Sequence, residues 1–183
     1  GAGLISDPQV RYRGTIGGDI SHGDPANDQP ALMLALGASF VLRSMTGERV
    51  VPADGFFVGT YDTLMKPDEI MTEIRIPVPA PGTGYCYAKL KRKIGDFATA
   101  AAAVTLRIKG ETVQDVAIAL TNLGATPRKA RAAEDALRGK PFGRGGLVLK
   151  AHSAVGPSGE HLNEGQFDFG VTGHKGNDVA RNR

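Results

Sequence analysis

Apolar residues along this 183-residue chain come in short runs cut by glycine and proline, which predicts many short elements rather than a few long helices. Over residues 1–19 no strong period appears, and a brief alternation from residue 10 stops at the paired glycines 17 and 18. Ser21-His-Gly-Asp-Pro-Ala-Asn-Asp28 reads as a turn-rich loop. A short helix is predicted over 29–36, with Asp28 as N-cap, Pro30 in the first turn and Gly37 as the stop. A strand at 38–43 leads through a hairpin turn at 45–49 to residues 50–51. Residues 52–57 read as a loop into a short helix near 53–57. A turn at 64–68 precedes an alternating strand at 69–76.

Residues 77–84 carry three prolines and two glycines and mark the best boundary in the chain. Beyond it, 85–92 reads as a strand. Residues 97–108 form a long apolar stretch whose alanine-rich start is ambiguous between strand and helix; the alternating neighbours favour strand. Lys109-Gly-Glu111 is then a hairpin turn into a strand over 113–123. The strongest helix signal is 126–139, with Thr126 as N-cap, Pro127 in the first position and Gly139 as the stop. After residue 142 the helical period disappears. Residues 143–183 hold 9 of the 25 glycines and 3 of the 4 histidines, and read as an atypical, disordered tail.

Composition narrows the function classes. One cysteine excludes an intramolecular disulfide and any cysteine-held iron–sulfur cluster within this chain. Cys86, between Tyr85 and Tyr87, reads as a small apolar strand residue, and a reduced, cytoplasmic setting is the default. No apolar run approaches the roughly 18–20 residues of a membrane helix. The opening residues lack the basic-then-apolar pattern of a secretory leader. The 22 basic and 19 acidic residues are mostly interspersed, except for four cations in Lys89-Leu-Lys-Arg-Lys93. That run reads as a solvated or phosphate-facing edge, and no aromatic is interleaved to stack nucleic-acid bases. His152, His161 and His174 are too far apart for a local metal motif.

One constellation suggests chemistry: Arg13-Gly-Thr-Ile-Gly-Gly-Asp19. Paired glycines can reach φ > 0 and admit a ligand closely. Consecutive backbone N–H groups there can cradle an anion such as pyrophosphate, with the Thr15 hydroxyl as a further donor. Neither a dinucleotide fingerprint nor a Walker loop is present. On pattern alone, a tight turn without a ligand is the favoured explanation of the motif.

The wider motif run adds to this. Residues 7–28, Pro67-Asp-Glu-Ile-Met-Thr-Glu-Ile-Arg-Ile-Pro77, Tyr87-Ala-Lys-Leu-Lys-Arg-Lys-Ile-Gly-Asp-Phe-Ala98 and Leu123-Gly-Ala-Thr-Pro-Arg128 together resemble the FAD-binding (medium) subunit of molybdenum hydroxylases. The likeness is to the carbon monoxide dehydrogenase and xanthine dehydrogenase type and covers about residues 4–142. It implies an α+β fold. Residues 1–78 correspond to the second subdomain of a PCMH-type FAD-binding domain, whose first subdomain, with its own glycine loop, is missing. Residues 84–142 correspond to a small C-terminal domain of antiparallel sheet plus helices.

The resemblance also implies roles. Thr15, Ile16, Gly17, Gly18 and Asp19 match the second pyrophosphate loop. Asp28 matches an acidic residue near the cofactor, although a plain helix cap is as well supported. Met71, or Ile70 beside it, matches an apolar residue near the flavin or adenine, against ordinary strand core. Lys89 matches, loosely by one position, a lysine that stabilises reduced anionic flavin. Phe97 approaches the ring or simply packs, and His22 is a loop residue rather than a base. The implied function is electron transfer through FAD to an external acceptor, not substrate chemistry. The implied partners are a large molybdenum-cofactor subunit and a small subunit with two 2Fe-2S clusters, with any membrane association made through the complex. The alternative is a truncated assembly fragment that docks to those subunits without FAD.

Overall fold

The computed structural model describes residues 1–5, 8–93 and 95–142, together with the backbone of 147–151 and 165–169. A 3-10 turn at Ala2–Leu4 precedes three helices: α1 (Pro8–Arg13), α2 (Ile16–His22) and α3 (Asp28–Ala35). Strand β1 (Ser39–Ser44) pairs antiparallel with β2 (Gly47–Pro52) on one side and β5 (Ile70–Arg75) on the other. Short strands β3 (Phe57–Gly59) and β4 (Asp62–Thr63) form a separate pair. A second sheet has the order β6 (Thr83–Leu90), β7 (Ala100–Lys109), β8 (Thr112–Thr121), β9 (Arg128–Lys129), all antiparallel. Helix α4 (Arg131–Leu137) follows. Every ladder among the described strands is antiparallel, in keeping with the α+β reading.

The alanine-rich ambiguity resolves as strand, and the reason is a helix. Ala103 and Ala119 face each other on the β7–β8 ladder and lie in the same core cluster as Ala31 and Ala35 of α3. Small side chains on that face let α3 lie close on the sheet. The alternate positions Ala102, Val104, Leu106, Val116 and Ile118 point to the other face, where Ala130, Ala133 and Leu137 cover them. Both faces of β7 and β8 are therefore buried, so their sequence is a continuous apolar run rather than an alternating one. Gly110 turns the hairpin at φ +62, a conformation that suits glycine. Cys86 packs against the α4-side core, and burial pushes its thiol pKa up, as expected of an inert strand residue.

Several local expectations fail for physical reasons. No helix forms near 53–57. The Ala53 N–H donates to Ala38 O, and Phe56 and Phe57 turn inward against Phe40 with ring centroids 4.7 and 6.5 Å from it. The predicted helix over 126–139 shrinks to α4, capped at Ala130 rather than Thr126, because Arg128 and Lys129 pair with Leu120 and Ala119. Sheet pairing and burial of Pro127 outweigh helix propensity there. Residues 8–13 and 16–22, expected to be irregular, form α1 and α2.

Residues 77–82 do connect the two sheets without regular structure. The parts they connect are nonetheless joined through α3, which packs on β7 and β8. Thr105 Oγ1 donates to Ala35 O at 3.2 Å, and the Asn122 N–H donates to Pro25 O at 2.9 Å. In the tail, β10 (Leu147–Ala151) and β11 (Gly165–Phe169) pair as two antiparallel strands. The rest of it, with His152, His161 and His174, lies outside the described residues. Among the described residues, no helix is long and apolar enough to cross a membrane.

Candidate functional site

The glycine pair does not form a left-handed turn. Gly17 and Gly18 sit in the first turn of α2, and neither has positive φ. Thr15 is the N-cap, in extended conformation, and its Oγ1 accepts the Gly18 N–H at 3.0 Å. Helix geometry leaves the Ile16 and Gly17 N–H groups without acceptors inside α2. The anion cradle read from the sequence is thus a helix start rather than a nest of alternating turns. Its Thr15 hydroxyl accepts from the Gly18 N–H and keeps its own O–H to donate.

In front of it lies a cleft of about 260 Å³, lined among others by Thr15, Ile16, Asp19, Arg11 and Gln29. A Cβ built on Gly17 would meet no protein atom within 4 Å. The opposite holds at Gly23, which ends α2 at φ +68. A Cβ there would lie 3.0 Å from Thr63 Cγ2 and 3.2 Å from Asp62 N.

Asp19 ties α2 to α3 from both ends of its own residue. Its carbonyl accepts Asn27 Nδ2 at 3.1 Å, and its carboxylate accepts the Gln29 N–H. Asn27, the α3 N-cap by position, makes no side-chain cap bond, so Asp19 supplies the missing acceptor from the neighbouring helix. The other carboxylate oxygen, Oδ2, is buried with no partner among the described residues. Burial first, then the nearby Asp28 and Asp24 charges, raise the Asp19 pKa to about 6; Gln29 and His22 oppose them.

Asp28 is the first residue of α3 rather than its N-cap. Its buried carboxylate reaches out of the helix to strand β6. Tyr87 Oη donates to Oδ1, and Lys89 Nζ donates to Oδ2 at 2.7 Å. The side chains of Lys89 and Asp28 are only 2% and 4% exposed. Lys89 Nζ also donates to Leu4 O at 3.2 Å. Lys89 therefore turns inward and does not share the solvated edge expected of residues 89–93. Desolvation, followed by the Asp28 hydrogen bond and charge, pushes the Tyr87 pKa well up, so the phenol stays a donor.

Of the residues expected at the site, Thr15, Ile16 and Asp19 line one cleft, with Gly17 and Gly18 in the same turn. Asp28 and Lys89 meet each other one layer behind. Met71 does not join them: on β5 it packs against the core that surrounds α3 and does not line this cleft. Ile70 beside it is 71% exposed, and Phe97 is 58% exposed. His22, expected in a loop, is instead the last residue of α2, and it packs at a tilt on Tyr61 with 5.0 Å between ring centroids. Sequence reasoning passed over Tyr87. The available signal was its spacing from Lys89, since residues two apart on a strand share a face.

Comparison with known proteins places the chain among its relatives. Residues 2–79 match the FAD binding domain in molybdopterin dehydrogenase, and residues 85–156 match the CO dehydrogenase flavoprotein C-terminal domain. The chain is 53% identical over 154 residues to the carbon monoxide dehydrogenase medium chain of Hydrogenophaga pseudoflava, covering 84% of this chain and 54% of that one. It is 44% identical over 173 residues to the medium chain from Afipia carboxidovorans, covering 93% and 60%. A solved carbon monoxide dehydrogenase from Hydrogenophaga pseudoflava, lacking the Mo-pyranopterin moiety of its cofactor, superposes with a TM-score of 0.75 at 60% identity. That superposition covers 77% of this chain and 49% of the solved one. The chain thus spans between half and two thirds of the length of these curated relatives.

Proposed function

Since the chain belongs to the family of FAD-binding medium subunits of molybdenum hydroxylases, we propose that it is part of a flavoprotein subunit passing electrons from partner iron–sulfur clusters through FAD to an external acceptor. The observation that carries this reading is the cleft at the start of α2. Thr15, Ile16 and Asp19 line it, the Ile16 and Gly17 N–H groups beside it have no acceptor inside α2, and one buried oxygen of Asp19 has no donor among the described residues.

The residues fit the two chemistries of such a cofactor. The Ile16 and Gly17 N–H groups suit the pyrophosphate, with Thr15 fixing the turn. The Asp19 carboxylate would repel a phosphate but accepts from a ribityl or ribose hydroxyl, which would satisfy its free oxygen. Bound FAD supplies the exchange between paired and single electrons that links iron–sulfur clusters to two-electron acceptors. Lys89 enters the proposal as an orienting group, because its charge is balanced by Asp28 at 2.7 Å and adds no net positive field to reduced flavin. Met71 has only the family resemblance to support a place beside the cofactor.

The same reading assigns the molybdenum cofactor to a large partner subunit and the 2Fe-2S clusters to a small one. The single cysteine of this sequence supports that division. It also favours a reducing, cytoplasmic setting. In this proposal the remaining wall of the flavin site comes from the first FAD subdomain, which this sequence does not include.

The test is FAD uptake, followed by flavin absorbance and fluorescence, in this chain and in a complete medium subunit carrying it. Gly17→Val is the informative variant, because a Cβ there meets nothing within 4 Å beyond its own helix. FAD affinity is expected to fall at least tenfold, equivalent to about 1.4 kcal/mol of binding free energy, with folding intact. Unchanged affinity would remove the pyrophosphate assignment. A complete subunit that folds and binds its partners but takes up no flavin would establish the docking scaffold instead.

A further inference from the structure

The buried cluster behind the cleft is richer than the cofactor reading requires. Two donors on one strand make three hydrogen bonds here: Tyr87 and Lys89 from β6 meet the Asp28 carboxylate, and Lys89 also reaches Leu4 O. Asp28 opens α3. Its neighbour Asn27 holds the Asp19 carbonyl, its other neighbour Gln29 holds the Asp19 carboxylate, and the Asp19 N–H donates back to Thr15 O at 3.0 Å. An unbroken chain of hydrogen bonds and covalent neighbours therefore runs from the second sheet to the cap of α2.

We infer that Tyr87 is a positioning residue for the Thr15–Asp19 cleft: its phenol, with Lys89, fixes the first turn of α3, and that turn fixes the start of α2. The second sheet then sets the geometry of a binding site formed by the first part of the chain. Lys89 supplies charge balance and Tyr87 supplies direction. A phenol on a strand has two side-chain torsions and one donor, so it holds Oδ1 in one place, whereas an ammonium on a long stem tolerates many. Helix α2 needs such an anchor. It has seven residues, two of them glycine, and buries one, Ile20, so little in its own sequence holds it in place. The inference rests on the FAD reading only for the identity of the ligand.

The experiment is amide hydrogen exchange on this chain and on a complete subunit, with Tyr87→Phe, Thr105→Val and Asn27→Ala compared with the wild type. Tyr87→Phe removes one hydroxyl. Exchange over 16–29 is expected to rise on the order of tenfold while β7 and β8 stay protected. Thr105→Val breaks the Thr105–Ala35 bond at the far end of α3 and is expected to leave 16–29 unchanged. Asn27→Ala cuts the same chain downstream and is expected to loosen 16–22. Combined with Tyr87→Phe it should add less than the sum of the two.

Unchanged exchange over 16–29 in Tyr87→Phe overturns the inference. So does an equal rise in Thr105→Val, which would mean general loosening between the two parts. Should Tyr87→Phe fail to fold, full additivity of Asn27→Ala with Lys89→Arg overturns it as well. In the complete subunit, Tyr87→Phe is expected to weaken FAD binding in step with the exchange. Faster exchange in a protein that binds no FAD leaves the positioning role standing and removes the FAD reading.

Discussion

The two sides of α3 are built on opposite principles. Toward β7 and β8 it lies on alanines, and specificity comes from shape. At its N-terminal turn it meets Asp19, Asn27, Tyr87 and Lys89, where polar groups are satisfied one by one. The apolar side tolerates any residue of the right size. The polar side needs each partner, because a buried group that loses its mate keeps its desolvation cost. The first kind of contact holds a scaffold together and the second kind fixes an angle. A ligand cleft that depends on the start of α2 needs both.

Breaking the polar side should have the largest effect. Lys89→Met leaves Asp28 buried with a single donor. The expected loss is about 3–5 kcal/mol of unfolding free energy, the range for a buried pair cut on one side. Urea denaturation measures it. Adding Asp28→Asn to the same chain should recover part of the loss, since the uncompensated charge is gone. A loss below about 1 kcal/mol, the range of surface pairs, would mean that water reaches the pair and that the polar junction is not buried as described.

Apolar packing answers next, on the face of β7 and β8 turned away from α3. Ile118 is fully buried beneath α4, and Ile118→Ala is expected to cost about 2–5 kcal/mol through poorer packing and a residual cavity. The contrast sharpens under a milder change. Ile118→Val should cost only about 0.5–1.5 kcal/mol, whereas even the conservative Lys89→Arg disturbs a site built around a point donor. If both conservative changes cost the same, the distinction between shape and satisfaction fails.

These two regions also differ in how much of them the sequence revealed. The β7–β8 hairpin was legible because its causes are local: two long apolar runs and Lys109-Gly110-Glu111 between them. The polar junction was only half legible. Asp28 and Lys89 stood out through family resemblance, yet their pairing spans 61 positions and no period reports it. Tyr87 looked like one more strand aromatic. Helices α1 and α2 escaped notice because α1 buries no residue and α2 buries one, so neither leaves an apolar stripe. At 126–139 the opposite error arose. Strong helix formers were present, but Arg128 and Lys129 pair with Leu120 and Ala119, eight and ten positions earlier, and close the edge of a sheet whose β6 and β7 lie farther back. Local chemistry identifies elements whose stability is local, and it fails where distant partners decide.

Between the two sides lies the turn that ends α2. Gly23→Ala places a methyl group 3.0 Å from Thr63 Cγ2 in a left-handed backbone. About 1–2 kcal/mol of destabilisation is expected from strain and crowding. Gly17→Ala, with open space and helical φ, should instead be neutral or stabilising by up to about 1 kcal/mol. Thermal melts of the two single variants compare them directly. Equal losses would show that α2 tolerates no side chain for reasons other than the geometry at Gly23.

The last effect is a dependence on pH, and it tests whether Asp19 belongs to the polar junction. In the folded protein its pKa is raised to about 6 from an ordinary value of 3.8. Between these values the native state holds a proton that the unfolded chain has released, so stability falls as pH rises. The contribution is complete below pH 3.8 and gone above about 6. Glu69 moves the other way: the Arg49 hydrogen bond lowers it from 4.5 to about 2, so its stabilisation is lost as pH falls between those values. Tyr87 and Cys86, both raised, act on the alkaline side. Between about pH 4.5 and 6, Asp19 is thus the shifted group that titrates among the described residues. Melting temperature should decline across that interval in the wild type, and Asp19→Asn should flatten the decline while leaving the alkaline limb unchanged. A decline that survives in Asp19→Asn would detach Asp19 from the junction and return α2 to a loosely held segment.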